Sequence, residues 1–230
     1  MFPSVRRDFA ELDSTNTYAL LWPDAPHGAL VVADAQSAGR GRLGRSWSSP
    51  PGVGLYFSLV LRELSDETKA RLSLIVGLGV AQGIEKQTGR AVELKWPNDI
   101  LMHGHKIGGV LCEATTERVV VGVGINVDQT REQLPERPVF PASSLLLEAG
   151  YPFERAELLA AILAALEVEL NATEWAQQRA RIETKLFGRG ELVRANGQIG
   201  LIEGIGDDGA LLLRTSEGTA SVRSGEVEFF

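Results

Sequence analysis

Residues 39–46 read Gly39-Arg40-Gly41-Arg42-Leu43-Gly44-Arg45-Ser46, and this stretch excludes two common nucleotide-binding folds. Its glycines fit the pattern G-x-G-x-x-G, and the eight residues would form a P-loop if Arg45 were lysine. Both patterns require a helix directly after the glycines, because the helix N-terminus holds the phosphate. Residues 47–52, Trp-Ser-Ser-Pro-Pro-Gly, do not start a helix. The loop therefore predicts neither a Rossmann fold nor a P-loop fold.

The same loop still predicts an anion site. Arg40, Arg42 and Arg45 alternate with glycines, and residues 36–60 contain no acid. Arginine forks suit phosphate or carboxylate, and glycines let the backbone approach a ligand. Trp47 adds a flat surface suited to a purine ring. The alternative is a solvated surface loop, and we favour a mobile lid that orders on an anionic ligand.

Hydrophobic patterning around the loop predicts a chain that mixes strands and helices. Strands are expected over 29–33, 55–61, 107–112 and 119–127, and helices over 18–21, 66–88 and 153–186, the last with a break near Asn171. After Gly188, turn signals recur about ten residues apart, which predicts a small all-β module. A small barrel resting on the main domain is the economical interpretation.

Composition limits the classes of function. The chain has 230 residues, 44% of them hydrophobic, and its net charge of -7 argues against general nucleic-acid binding. A single cysteine, Cys112, forms no internal disulfide and fits a reducing compartment. Residues 1–12 do not resemble a signal peptide, and the longest apolar run, 72–81, is shorter than the roughly 20 residues of a membrane span. We expect a soluble cytoplasmic protein.

A second motif is Lys95-Trp96-Pro97-Asn98-Asp99, followed by Lys106. Lysine supplies a compact charge for a phosphoryl or carboxylate oxygen, Asn98 suits a base edge, and Asp99 suits a metal. The alternative is a simple Pro-Asn-Asp turn between two elements. His103 and His105 flank Gly104 and predict a hairpin tip rather than a metal site.

A third motif is Gly122-Val123-Gly124-Ile125-Asn126 at the end of a predicted strand. Glycines within a strand mark either a close approach of a ligand or tight packing against a helix. Cys112 lies in a buried run and is interpreted as a core residue.

Taken together, the motifs resemble those of the biotin protein ligases in order and spacing. The resemblance spans about residues 12–127 and rests on Ser14-Thr15-Asn16, Gln36, the loop 39–45, Lys95-Trp96-Pro97-Asn98-Asp99, Lys106-Ile107-Gly108-Gly109 and Gly122-Val123-Gly124-Ile125-Asn126. It implies an enzyme that forms biotinyl-5'-AMP from biotin and MgATP. The biotinyl group then passes to a lysine of a biotin carboxyl carrier protein, a subunit of acetyl-CoA carboxylase, or of another biotin-accepting domain.

The resemblance also implies roles for individual residues. The catalytic residues would be Lys106 and Arg42. Biotin would be bound by Ser14, Thr15, Asn16, Gln36, Gly39, Arg40, Gly41, Arg42, Lys106 and Gly109. ATP would be bound by Arg45, Trp47, Lys95, Asn98, Asp99 and Asn126. The metal ligands stay unknown, with Asp99 as the first candidate for Mg²⁺.

The implied fold is α+β: a mixed sheet with helices on one side, like the class II synthetases, over residues 1–187. A small SH3-like barrel would follow over 188–230. The Ser-Thr-Asn motif lies close to residue 1, so we expect no DNA-binding domain, no repression and no membrane partner. Family likeness permits a homodimer. The alternatives are a lipoate-protein ligase and a binding protein for biotin or a nucleotide without turnover.

Overall fold

In the residues that the structure describes, 2–135 and 140–230, the chain forms twelve strands and five α-helices; the structure is a computed structural model. The helices are α1 (Thr15–Leu21), α2 (Asp66–Thr88), α3 (Leu145–Ala149), α4 (Arg155–Asn171) and α5 (Trp175–Thr184). The strands are β1 (Val5–Leu12), β2 (Ala29–Gln36), β3 (Gly54–Arg62), β4 (Glu93–Lys95), β5 (Asp99–Met102), β6 (His105–Ala114), β7 (Arg118–Asn126), β8 (Leu192–Ala195), β9 (Gln198–Ile205), β10 (Leu211–Thr215), β11 (Gly218–Val222) and β12 (Val227–Phe229).

The first seven strands form one sheet in the order β1-β2-β3-β7-β6-β5-β4. Strands β1 and β2 pair in parallel and every other pair is antiparallel, so the sheet is mixed, as predicted. Along β3, Leu55, Phe57 and Leu59 belong to the main hydrophobic core, whereas Val60 belongs to a smaller cluster. Because strand side chains alternate between faces, Ser58 shares the face of Val60.

The long helices α2 and α4 pack together against the main core. Helix α2 begins after Ser65, whose side chain accepts a hydrogen bond from the Thr68 backbone at 3.2 Å, and it stops at Gly89 in the left-handed conformation. Both ends agree with the prediction, as does the end of α4 at Asn171. The short helix α1 differs from the expected arrangement of helices on one side. It packs on the opposite face because its buried Ala19 joins the Val60 cluster.

The last five strands form an antiparallel sheet in the order β11-β10-β9-β8-β12. Strands β11 and β12 lie at its two edges, so the pairing describes an open sheet and no closed barrel is found among the described strands. The SH3-like barrel stays a prediction, and so does the boundary at residues 187 and 188. The sheet contacts the main domain through Trp96, whose indole Nε1 donates to the Gly209 carbonyl at 3.1 Å.

None of the helices in the described ranges is long and apolar enough to cross a membrane.

Candidate active site

A cavity lies on the face of the sheet that carries α1. Loop residues of the 39–46 stretch, which we call the arginine loop, form one wall, and strands β5 to β7 form the other. Its lining includes most of the predicted site residues: Ser14, Thr15, Asn16, Gln36, Arg40, Gly41, Arg42, Arg45, Trp47, Lys95, Asn98, Asp99, Lys106 and Gly109. Four motifs that are distant in sequence therefore converge on one site.

Neutral polar side chains form one end of the cavity, which we call the neutral end: Ser14, Thr15, Asn16 and Gln36. The first three are buried, and Ser14 caps α1 by accepting a hydrogen bond from the Thr17 backbone at 3.4 Å. The Thr15 backbone N–H donates to Gln36 Oε1 at 2.9 Å. Ser58 of β3, fully buried, donates to Asn16 Oδ1 at 2.6 Å. These bonds hold the neutral end in one arrangement.

The two glycines of the β7 motif make room for site residues. A Cβ at Gly122 would lie 2.2 Å from Asn16 Oδ1, and a Cβ at Gly124 would lie 2.5 Å from Trp47 Nε1. Contacts this short are not tolerated by real side chains, so Asn16 and Trp47 need glycine beneath them. Packing against a helix is observed at Gly122, which lies against Asn16 of α1, whereas Gly124 lies against Trp47 of a loop. Both glycines also line the main cavity, so close approach of a ligand stays a prediction.

Four cations and two carboxylates lie at the other end, which we call the cationic end: Arg42, Arg45, Lys95 and Lys106 with Asp99 and Glu226. Lys106 Nζ lies 2.5 Å from Asp99 Oδ1 and 5.5 Å from the centre of the Trp47 ring. Burial lowers the pKa of Lys95, opposed by Asp99 and reinforced by the neighbouring cations. Burial likewise lowers the pKa of Arg42, with Asp99 opposing. Positive charge exceeds negative charge here, which suits an anionic ligand.

Each arginine of the arginine loop contacts a protein acceptor. Arg40 Nη2 lies 2.6 Å from Glu113 Oε1, and Arg42 Nη1 donates to Asn98 Oδ1 at 3.1 Å. Arg45 forms an ion pair with Glu226 of the C-terminal sheet. The Trp47 backbone also donates to the Gly39 carbonyl at 2.8 Å, closing the loop on itself. Whether the loop moves as a lid stays a prediction.

Two predicted residues, Gly39 and Asn126, lie outside the lining of the main cavity. A Cβ at Gly39 would lie 2.3 Å from the Trp47 carbonyl oxygen, so this glycine lets the loop fold back. Asn126 lines a neighbouring cavity, together with Trp47 and Lys106. The indole Nε1 of Trp47 is buried and has no hydrogen-bond partner in the described residues. Trp47 thus lines both cavities, and its Nε1 is buried against Gly124.

Three residues that contact the site were not predicted from the sequence: Ser58, Glu113 and Glu226. Ser58 carried a signal, since a serine in the middle of an apolar strand needs a buried partner. Glu113 carried a weaker one, as the acid that ends the apolar run of β6. Glu226 carried none, because only the docking of the second sheet brings it near Arg45.

The histidines and the cysteine take the structural roles expected of them. His103 has φ 51° and Gly104 has φ 76°, which forms the predicted hairpin tip between β5 and β6. Both His103 and His105 contact Glu148 of α3, through Nδ1 at 2.9 and 2.8 Å. No metal-binding group of three or more such residues occurs in the part of the chain described. Cys112 is partly buried against the main core, and burial raises the pKa of its thiol to about 12.

Comparison with known proteins agrees with this arrangement. A model described as the biotin/lipoate A/B protein ligase family matches residues 9–129, and one described as the biotin protein ligase C terminal domain matches residues 191–229. The biotin--[acetyl-CoA-carboxylase] ligase of Paracoccus denitrificans is 33% identical over 96% of this chain and 98% of its own length. The bifunctional ligase/repressor BirA of Bacillus subtilis is 38% identical over 89% of this chain and 67% of its own length.

Solved structures lead to the same class. The biotin protein ligase from Aquifex aeolicus in complex with biotin and ATP superposes with a TM-score of 0.87 and 33% identity, over 99% of each chain. The chain therefore belongs to the biotin/lipoate A/B protein ligase family. Its C-terminal match and its named relatives make it, within that family, a biotin protein ligase.

Proposed function

We propose that the enzyme joins biotin to ATP, forming biotinyl-5'-AMP and pyrophosphate, and then transfers the biotinyl group to a lysine of a biotin carboxyl carrier protein. The observation that carries the proposal is the position of Lys106 Nζ in the same cavity as the neutral end. Its neighbours Arg42 and Lys95 line that cavity too. The relatives support the substrates, since one is named for acetyl-CoA carboxylase and another is a complex with biotin and ATP.

Biotin would bind with its ureido ring at the neutral end. A ureido group both donates and accepts hydrogen bonds, and Ser14, Thr15, Asn16 and Gln36 offer hydroxyl and amide groups of both kinds. Their burial favours a neutral ligand group over an ion, because a buried charge without a partner is costly. The carboxylate of the valeryl chain would then lie toward Lys106.

In the first step, a biotin carboxylate oxygen attacks the α-phosphorus, and the bond to the bridging oxygen of pyrophosphate breaks. Two anions must meet, so fixed positive charge is the main requirement. Lys106 and Arg42 would stabilise the charge that develops on the α-phosphoryl oxygens. Because Gly39, Gly41 and Gly109 have no side chains, the backbone there would approach the mixed anhydride closely. Arg40 would cover the anhydride from the loop, and together these residues would exclude water.

The nucleotide would occupy the cationic end and the neighbouring cavity. Trp47 supplies a ring face and an unpartnered N–H, which supports adenine there, and Asn126 lies in the same cavity. Arg45, Lys95 and Asn98 line the main cavity where the phosphates would lie. Mg²⁺ would enter as part of MgATP, the substrate. Asp99 stays a candidate ligand, although its carboxylate already contacts Lys106 at 2.5 Å.

In the second step, the amine of the acceptor lysine attacks the acyl carbon and AMP leaves. No covalent intermediate on the enzyme is needed. We further propose that the enzyme is cytoplasmic and that it does not bind operator DNA. Its family likeness permits a homodimer. The net charge of -7 supports the absence of DNA binding, because it repels a phosphate backbone. A gel-shift measurement with an operator fragment tests it.

The first test is pyrophosphate exchange with biotin or lipoate as the acid. Exchange with biotin supports the proposal, exchange with lipoate alone supports the alternative ligase, and exchange with neither leaves a binding protein. In the Lys106→Ala variant, we expect exchange to fall by at least about 100-fold, because one preorganised charge is worth that much. Biotin binding should stay measurable.

The matched control is Lys86→Ala, an exposed lysine on α2. It should keep normal exchange. Near-normal exchange in the Lys106→Ala variant would remove Lys106 from the mechanism.

A further inference from the structure

Glu113 on β6 contacts two functional groups that are far apart in sequence. Its Oε2 accepts a hydrogen bond from Asn16 Nδ2 at 2.8 Å, and its Oε1 accepts one from Arg40 Nη2 at 2.6 Å. The Glu113 side chain is 21% exposed, so both contacts are partly shielded from water. A single carboxylate therefore joins the neutral end to the arginine loop.

The contact with Asn16 determines which way its amide points. Asn16 Nδ2 donates both to Glu113 and, at 3.3 Å, to the Leu111 carbonyl, while Asn16 Oδ1 accepts from Ser58. An amide group has two N–H donors, so both are committed. Rotation of the amide by 180° would set Oδ1 against two acceptors. Glu113 thus fixes the orientation of the Asn16 amide, whose Oδ1 lies over Gly122.

The contact with Arg40 concerns placement more than stability. Gly109 and Leu111 line the cavity, and Glu113 follows them on the same face of β6 because strand side chains alternate. Arg40 is 46% exposed, and an ion pair this exposed adds little to folding. What it does is hold the first arginine of the loop over the strand that also carries Lys106.

We propose that Glu113 is a positioning residue that couples Asn16 to Arg40, so that the orientation of the biotin-binding amide and the closure of the arginine loop depend on one carboxylate. The assignment of Asn16 to biotin rests on the proposed function. Glu113 does not touch the reacting atoms and acts only through these two partners.

Two substitutions separate the two contacts. Glu113→Gln keeps an acceptor for Asn16 and loses the charge that holds Arg40. We expect its KM for biotin to stay within about twofold, and the release of biotinyl-5'-AMP to become about threefold faster, as loss of a partly exposed ion pair predicts. Glu113→Ala loses both contacts, and we expect its KM for biotin to rise about tenfold, as loss of a charge-assisted hydrogen bond predicts. In both variants, kcat should change less than KM for biotin or the release rate of biotinyl-5'-AMP does.

The control is Glu117→Gln, since Glu117 is an exposed glutamate in the turn after β6. Its KM for biotin, its release of biotinyl-5'-AMP and its rate of trypsin cleavage should equal those of the unsubstituted protein. Equal kinetic effects of Glu113→Gln and Glu113→Ala, or a lowered melting temperature with unchanged KM and release, would overturn the proposal. Trypsin gives a readout independent of catalysis, because Arg40, Arg42 and Arg45 are cleavage sites. Faster trypsin cleavage in Glu113→Gln supports the Arg40 contact, and an unchanged cleavage rate refutes it. This readout holds even if the protein shows no pyrophosphate exchange with biotin and the proposed function is wrong.

Discussion

Single buried polar residues organise this site. Ser58 is fully buried in an apolar strand, where an unsatisfied hydroxyl would be costly. It lies 2.8 Å from Thr15 Oγ1 and donates to Asn16 Oδ1. The hydroxyl thus meets its own need for partners by orienting two residues of the neutral end. Gly122 and Gly124 also position site residues, because the absence of a Cβ leaves space for Asn16 and Trp47.

The two β7 glycines yield a reciprocal prediction at this scale. In Gly122→Ala, the new methyl collides with Asn16, so we expect KM for biotin to rise about tenfold or more with KM for ATP little changed. In Gly124→Ala, the new methyl collides with Trp47, so we expect KM for ATP to rise about tenfold or more with KM for biotin little changed. The expected size of these KM changes follows from the cost of overpacking, which is roughly 1–3 kcal/mol. Steady-state pyrophosphate exchange measures both constants, and each variant is the control for the other. Parallel changes in both variants would contradict separate biotin and nucleotide ends.

Whole elements differed in how readily they could be predicted. Helix α2 has a serine cap, acids in its first turn and a terminal glycine, and these local signals placed both ends correctly. Strand β1 was missed because most of its side chains are exposed and show no alternation. The short elements β4, β5 and α3 were missed as well. Lys95-Trp96-Pro97-Asn98-Asp99 is both a turn between β4 and β5 and part of the site, so the two interpretations of it are compatible.

The connection between α4 and α5 gives the prediction at the scale of elements. Glu169 on α4 is buried, and it accepts hydrogen bonds from Arg181 at 2.5 and 3.0 Å and from Gln178 at 3.0 Å. In Glu169→Ala, Arg181 loses its carboxylate partner, whereas Gln178 Nε2 keeps the Glu169 backbone carbonyl at 2.7 Å. We therefore expect the free energy of unfolding to fall by about 1–3 kcal/mol. Urea denaturation measures it. The exposed Glu157→Ala on the same helix should change stability by less than about 0.5 kcal/mol. A large loss of kcat in the folded Glu169→Ala variant would argue against a purely structural role.

At the scale of the whole molecule, the C-terminal sheet contributes to the active site. Glu226, in the turn before β12, lines the main cavity and pairs with Arg45. The same sheet makes two further contacts: Trp96 of the Lys-Trp-Pro-Asn-Asp motif donates to Gly209, and Arg71 of α2 donates to the Asp207 carbonyl at 2.6 Å. The second sheet is therefore attached close to the residues that would bind the nucleotide.

This attachment predicts an effect of Glu226 on ATP. The Glu226 carboxylate competes with phosphate for Arg45, so in Glu226→Gln we expect KM for ATP to fall about threefold, the scale of an exposed ion pair. The melting temperature should not change. The control is Glu217→Gln, an exposed acid in another turn of the same sheet. A raised KM for ATP would mean that Glu226 holds the loop in its active position instead.

Local sequence determined the long helices, the central strands and the hairpin tip, because periodicity, caps and turn signals act over a few residues. The site residues were predicted from the resemblance of the motifs to those of the biotin protein ligases. Local sequence did not reveal that α1 lies on the face opposite α2, that the last five strands pair as an open sheet, or that Glu113 and Glu226 contact the arginine loop. These features depend on contacts between residues that are distant in the chain. Asn16 and Glu113, or Arg45 and Glu226, become neighbours only after the sheet has formed and the second sheet has packed against it.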